Sequence, residues 1–328
     1  EIKAWWNQTN KFVHICGKDY KKLTDRVIKC YTNDTTANNT SLSLYVNNTF
    51  KETVSVINNI AEFTARNFSG GDVIRVDGAT TSDTFTFTNN STAVFTTEGD
   101  WNKVSNWSDN VVPTVGSNVE IAANATIPAK YVAQVGAISI NSGKTLTIAD
   151  SAQLIHNNTG VTATVEKIIG AYTVPIGQGA TDGWYFIASP IKTNLAPDVV
   201  TNMLTDEPSA PYSYDLYRFN QAADQEWENY HLHSGDFNLV NGAGYLYANS
   251  NQVTLQFTGE LKPYSEAESA NQVSVSVGWN LVGNPFACNV YANRPFYKMN
   301  SNKTGIEAVE AYSTNAVLPC TGIIVSTN

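Results

Sequence analysis

Gly183-Trp184-Tyr185-Phe186-Ile187-Ala188-Ser189-Pro190-Ile191 returns downstream as Gly278-Trp279-Asn280-Leu281-Val282-Gly283-Asn284-Pro285-Phe286. Further landmarks keep their order. Leu216-Tyr217-Arg218-Phe219-Asn220 answers to Phe296-Tyr297-Lys298-Met299-Asn300, Glu226 to Tyr230 answers to Glu307 to Tyr312, and Gly244-Tyr245-Leu246-Tyr247 answers to Gly322-Ile323-Ile324-Val325. A repeated apolar frame with altered polar positions describes a scaffold rather than a catalytic centre. In this reading Gly183 and Gly278 mark a turn, Trp184 and Trp279 fill the core, and Pro190 and Pro285 end the strand because proline cannot donate to a ladder. The alternating run Val253 to Leu261 follows the first copy and has no counterpart after the second, which predicts a vacant strand position. Either chain beyond Asn328 or a strand exchanged with a partner would fill it, since open edges are aggregation hazards.

Working outward, Asn, Thr, Ser, Val, Tyr and Gly recur and long Ala, Leu, Glu and Lys stretches are missing, so the fold class is all-β. With 328 residues and 42% hydrophobic residues, two or three domains can each bury a core. Residues 1 to 97 predict an immunoglobulin-like sandwich of about seven short strands. Its clearest element is Ser41 to Val46, then Asn47-Asn48, then Thr49 to Val56, because paired asparagines tolerate the positive φ of a primed hairpin turn. Trp5 and Trp6, being adjacent, face opposite sides of a strand. Residues 98 to 165 hold brief strand cores in which Ile121 to Ile140 spans 19 residues and Ile127 to Ile148 spans 21, the period of a short β-solenoid. Irregular hairpins would be the alternative. Residues 166 to 328 form the duplicated β-sandwich.

The net charge is -9, and residues 160 to 328 carry 7 basic against 15 acidic side chains. That balance repels phosphate backbones and excludes nucleic acid as an expected partner. No apolar run approaches the ~20 residues of a membrane helix, and a chain that starts at Glu1 without a signal sequence reads as a processed or excised fragment. Cys16 with Cys30 and Cys288 with Cys320 are two local pairs, and two disulfides in an oxidising compartment are the expectation, with four buried free thiols the alternative.

Catalytic constellations are scarce. His14, His156, His231 and His233 sit in no metalloprotease or nucleophile motif, so an enzyme is not expected. His231 and His233 share a strand face and could hold zinc given a third ligand, although exposed histidines are the commoner case. Asp224, Glu226, Glu228 and Asp236 could offer oxygens to calcium but lack the Asp-x-Asp-x-Asp loop, and a solvated hairpin end is the plainer reading. No resident metal or other cofactor is expected. Trp101, Trp107 and Trp227, with Tyr230, are candidates for stacking on sugar rings, against the usual role of such residues as core. Asn-x-Ser/Thr triplets at Asn7, Asn33, Asn47, Asn67, Asn106, Asn124 and Asn302 are those that chance supplies in an Asn- and Thr-rich chain.

Gly99-Asp100-Trp101, Asn106-Trp107, Val112-Pro113 and Asn118-Val119-Glu120-Ile121, followed by Ile138 to Ile148 and the Gly-Trp units, resemble large surface and secreted proteins of Bacteroidota. The resemblance covers roughly residues 98 to 328. It implies export by the type 9 secretion system and a sorting domain after Asn328. Asp34-Thr35-Thr36 and Asp150-Ser151-Ala152 likewise resemble the O-glycosylation pattern of that lineage, which makes Thr35 and Ser151 the modification candidates. The combined expectation is a non-enzymatic, extracellular, adhesin-like or spacer module that meets a host or bacterial surface protein or glycan. The alternative is a carbohydrate-binding accessory region of a secreted glycan-degrading enzyme. A β-helical polysaccharide lyase fails on the shortness of the solenoid.

Overall fold

Asn47 and Asn48 adopt φ of 51° and 62°, the left-handed geometry a primed hairpin demands, and so join β3 (Ser41–Val46) to β4 (Thr49–Ser55) in the computed structural model. The structure describes residues 10–18, 26–36, 40–68, 72–87, 92–108, 110–173, 182–204, 213–232, 237–267 and 273–327, so Trp5 and Trp6 lie outside it. Two compact units result, residues 1–92 with 115–117, and residues 93–114 with 118–328.

The first unit adds β1 (Val13–Ile15), β2 (Lys29–Thr32), β5 (Ile60–Glu62), β6 (Val73–Asp77) and β7 (Ser82–Thr86). They form antiparallel sheets ordered β1-β2-β5 and β4-β3-β6-β7. The period-2 pattern sends Leu42, Leu44 and Val46 inward to join Ile15, Ile28, Phe63, Ile74 and Val76 in one core, as an immunoglobulin-like sandwich requires.

The second unit begins with a solenoid at Ala93. Its strands are β8 (Ala93–Phe95), β9 (Gly99–Asp100), β10 (Val119–Ile121), β11 (Ala125–Ile127), β12 (Val132–Gln134), β13 (Ile138–Ile140), β14 (Leu146–Ile148), β15 (Gln153–Ile155) and β16 (Thr162–Ile169). Val119 pairs with Ile138, Ala125 with Leu146 and Val132 with Gln153, all in parallel. Parallel ladders exclude hairpins, which are antiparallel, and confirm the stacked coil. The first coil, from Ala93 to its partner Val119, is longer because it carries a 3-10 turn at Val104–Asn106.

The duplicated unit comprises β17 (Tyr185–Ala188), β18 (Tyr214–Phe219), β19 (Trp227–Asn229) and β20 (Gly244–Asn249), then β21 (Val253–Glu260), then β22 (Trp279–Gly283), β23 (Val290–Tyr291), β24 (Phe296–Met299), β25 (Ile306–Val309), β26 (Ala316–Val317) and β27 (Gly322–Ser326). The two sheets have the same order, β17-β20-β18-β19 and β22-β27-β24-β25. Their registers also match: Ala188 faces Gly244 as Gly283 faces Gly322, and Tyr217 faces Leu246 as Tyr297 faces Ile324. Even the cross-strand ion pair repeats, Arg218 with Glu228 and Lys298 with Glu307, so the strand register makes Glu228, and not Glu226 as expected, the equivalent of Glu307.

The copies meet about a pseudo-two-fold axis. Ile187 bridges Thr321 while its equivalent Val282 bridges Ala243, the equivalent of Thr321. Ala188 N–H donates to Cys320 O at 3.2 Å, and Gly283 N–H donates to Gly242 O at 2.9 Å. Such a self-complementary contact is what a two-fold interface produces. Cys320 has φ of 55° where the first copy has Gly242 at 87°, so the turn geometry survives the loss of glycine.

Two expectations need correction. Strand β21 does not extend the first repeated sheet: it runs antiparallel to β16 and buries Leu255 and Phe257. Its pairing edge is supplied by the solenoid, and the second sheet therefore lacks no strand that the first possesses. Trp184 and Trp279 are not interior pillars either. Trp184 is half-buried and Trp279 is 45% exposed, although each meets the equivalent tyrosine, Tyr217 at 6.1 Å and Tyr297 at 5.6 Å.

Candidate functional site

Asn284 organises an apolar groove on the second repeat. Its Oδ1 accepts Phe286 N–H at 2.9 Å, closing a turn around Pro285, and its Nδ2 donates to Cys288 O at 2.8 Å and Val317 O at 2.9 Å. Ser189 makes the weaker version of this turn, accepting Ile191 N–H at 3.3 Å across Pro190. The turn delivers Phe286 beside Val282, Val290, Val317, Ile323 and Val325, which line a groove of about 370 Å³. Residue-for-residue, the first repeat has Ile187, Ile191, Leu195, Leu239, Tyr245 and Tyr247 there, with the Leu195 to Leu239 bridge matching the pairing of Val290 with Val317.

Those six equivalents lie in the large core together with Leu255 and Phe257 of β21. Ile191 bridges Leu261, Lys192 N–H donates to Glu260 O at 2.8 Å, and Tyr247 hydroxyl donates to Met203 O at 2.5 Å. One face is thus sealed by a strand end and its flanking chain. In the second repeat Val317, Ile323 and Val325, with half-buried Val282 and Val290 against them, belong to a separate small core, and Val275 and Tyr291 on the groove wall are 38% and 60% exposed. The sequence showed the repeat but not this difference, because what covers a face is set by distant chain.

The proposed sugar-stacking residues do not converge. Trp101 and Trp107 are 0% and 2% exposed, so their expected exposure is corrected: with Phe95 they fill the first solenoid coil, the two indoles 4.8 Å apart and edge to face. The Trp107 indole N–H donates to Trp101 O at 2.7 Å. Trp227 and Tyr230 are half-buried against Phe219 and Phe237, at 5.1 Å each.

Of the acidic cluster, Asp224 and Glu226 are exposed, Glu228 is committed to Arg218 and also accepts from Asn220 Nδ2 at 3.1 Å, and Asp236 lies outside the described residues. His231 packs on Tyr214 at 4.5 Å, and His233 lies outside the described residues. Among the described residues, no three His, Cys, Asp or Glu side chains converge as a metal set.

All four cysteines are free thiols, which corrects the two expected disulfides. Cys30 faces the core opposite Ile15, whereas Cys16 stands opposite Lys29 and so belongs to the other face of the ladder. Burial pushes the thiols upward, Cys288 to about 12, which keeps them protonated.

Asp34 ties its loop to the next one, since its carboxylate accepts the backbone N–H and hydroxyl of both Thr80 and Thr81. Burial alone would raise its pKa, and these four bonds reverse that and hold it below the ordinary carboxylate range. Neighbouring Thr35 is half-buried, and Ser151 Oγ donates to Asp150 at 2.7 Å.

No protein-family model matches the chain, and no curated protein matches it. Among solved structures it is similar to a Bacteroides uniformis β-glucuronidase 2 bound to cyclophellitol-6-carboxylate aziridine, with 11% identity, TM-score 0.23, and coverage of 80% of this chain and 31% of that one. An FMN-binding β-glucuronidase from Facaelibacterium prausnitzii L2-6 matches at 21% identity and TM-score 0.23 over 26% of this chain and 13% of that one. The chain therefore spans about a third or less of the length of these structures, at scores below those of a shared fold. Among the described residues, no helix is long and apolar enough to cross a membrane.

Proposed function

We propose that this chain is a non-enzymatic β module of a secreted or surface-exposed bacterial protein, serving as an adhesin-like or spacer segment, and that the second repeat uses its groove to take an extended strand of alternating apolar residues from a partner. The carrying observation is the six-position match: the first repeat packs that face against a strand with Leu255 and Phe257, whereas in the second a groove runs beside it and, among the described residues, Val282 and Val290 are only half-buried. A strand laid across the face suits such a role, since its alternating apolar side chains would fill the groove as Leu255 and Phe257 pack against the equivalent face of the first repeat. The Gly99-Asp100-Trp101 resemblance supports the bacterial surface setting, and type 9 export belongs to the same proposal.

A labelled peptide with the sequence Val253 to Leu261 tests the groove directly. Saturable binding that is lost in Val275→Glu and Val290→Lys and absent for a scrambled peptide is the expected result. No binding, or binding unchanged in both folded variants, overturns the docking reading.

One observation favours the carbohydrate-binding alternative, at a place other than the residues first considered. Trp279 is 45% exposed and lies 5.6 Å from Tyr297, forming an aromatic surface. Glycan-array binding abolished by Trp279→Ala supports it, and array silence removes it.

A further inference from the structure

Residues 160 to 328 contain only seven basic side chains, yet three of them, Lys167, Lys298 and Lys303, line a single pocket of about 340 Å³ between the repeats. They arrive from three elements: Lys167 from β16, Lys298 from β24, and Lys303 from the loop that follows β24. Tyr185 of β17 forms the aromatic wall, with the Lys303 ammonium 5.2 Å from its ring centroid. Lys167 pairs with Asp150 at 3.5 Å and Lys298 with Glu307 at 3.2 Å. Lys303 is the exception. It donates to Asn300 O at 3.3 Å and has no carboxylate partner among the described residues.

We propose that this pocket binds a small oxyanion, a carboxylate or sulfate group, with Lys303 as the group that meets it. The volume lies at the lower end of the range for small-molecule sites, roughly 300 to 1,000 Å³. Lysine acts there as a point charge on a flexible stem, able to follow an anion into a confined space. The Lys303 pKa is lowered, first by desolvation and then by Lys167 and Lys298, with Glu307 partly opposing. An entering anion would relieve that condition.

The internal repeat separates this site from scaffold. The loops after β18 and β24 begin with the same turn: Ala223 N–H donates to Asn220 O at 3.1 Å and Lys303 N–H donates to Asn300 O at 3.2 Å. Each also touches the other repeat, Lys303 O accepting Trp184 N–H at 3.3 Å and Gln221 Nε2 donating to Val277 O at 2.7 Å. Yet the first loop carries Asp224 and Glu226 and no cation, and the position of Tyr185 is Asn280 in the second copy. The frame is preserved on both sides, and Arg218 matches Lys298, while the loop lysine and the aromatic wall are confined to one. Scaffold demands would not distinguish the two sides.

Calorimetry at low ionic strength with sodium sulfate, a uronic acid and its neutral parent hexose tests the proposal on the whole chain. Binding of the uronic acid or of sulfate, with no binding of the hexose, is expected. If sulfate alone binds, the site is an inorganic oxyanion site. If the uronic acid binds more tightly, the ring contributes. Lys303→Met should weaken binding roughly tenfold to a hundredfold, the effect of removing one charged hydrogen-bond donor, and Lys303→Arg should retain most of it. Lys192→Met, which removes an exposed partner of Glu260, should leave affinity unchanged. Chemical-shift changes at Tyr185 in the wild-type protein give a readout that needs no variant. Absence of binding by either anion, equal binding of the hexose, or undiminished affinity in Lys303→Met overturns the assignment.

Discussion

Gly283→Ala tests the pseudo-two-fold contact most sharply. A Cβ at this position would stand 2.3 Å from Ala188 Cβ, 2.5 Å from Ala243 O and 3.0 Å from Ala243 C. Ordinary contact lies at 3.4–4 Å, so the copies would have to separate by about an ångström or more. Two of the three obstructing atoms are backbone, and rotamer changes cannot absorb the clash. Overpacking of this kind costs about 1 to 3 kcal/mol, and the lower unfolded-chain entropy of alanine offsets about 0.5 to 1 kcal/mol. A net loss of about 1 kcal/mol corresponds to a melting point about 2 to 4 °C lower for a unit of this size. The Gly283 to Gly242 hydrogen bond should weaken with it.

Thermal melts followed by near-ultraviolet circular dichroism measure the effect. Adding Ala188→Gly should recover part of the loss, because it removes the nearest clash and leaves the one with Ala243 O. Gly305→Ala serves as the control: its Cβ meets only Asn300 Nδ2, at 3.7 Å. Wild-type stability in Gly283→Ala, or no recovery in the double variant, would refute the interface described above.

Further outcomes are expected elsewhere. Trp107→Ala should destabilise the solenoid unit by about 3 to 5 kcal/mol, since it empties the Phe95, Trp101 and Trp107 cluster, and urea unfolding reads the loss. His156 is buried and its folded pKa lies below 6.5, lowered by desolvation. It therefore contributes stability that is present above 6.5 and lost as pH falls through the folded pKa, because the unfolded chain binds the proton more readily. His156→Gln should flatten that acid-side decline in melts taken from pH 7.5 downward, and an unchanged pH profile would contradict the assignment. Alkylation of unfolded, unreduced protein should add four adducts by mass, and in the native state half-buried Cys16 should react ahead of Cys30, Cys288 and Cys320. Two adducts fewer would mean a bridge.

What was legible in the chain followed from local geometry. The two asparagines announced a hairpin because few L-residues accept positive φ, and the 19- and 21-residue spacings announced coils because stacked strands require near-equal lengths. The repeat was visible because both sheets need the same apolar positions. The groove was less accessible: Val282 and Ile187 look alike in sequence, and only their surroundings differ. The lysine pocket left no pattern, since Lys298 and Lys303 belong to the second repeat and Lys167 to β16, and they line one pocket only in the folded unit. The cysteines misled for a related reason. Proximity in sequence says nothing about which face of a ladder a side chain occupies.

Sequence alone thus determined the all-β class, the paired asparagine turn, the solenoid period and the tandem sheets, all of which depend on periodicities within one stretch of chain. Tertiary structure decided that β21 joins β16, that Trp101 and Trp107 are interior while Trp279 is largely open, and that one of two equivalent faces is sealed. The physical reason is that periodicity assigns a side chain to a face, whereas burial depends on what remote segment packs against that face.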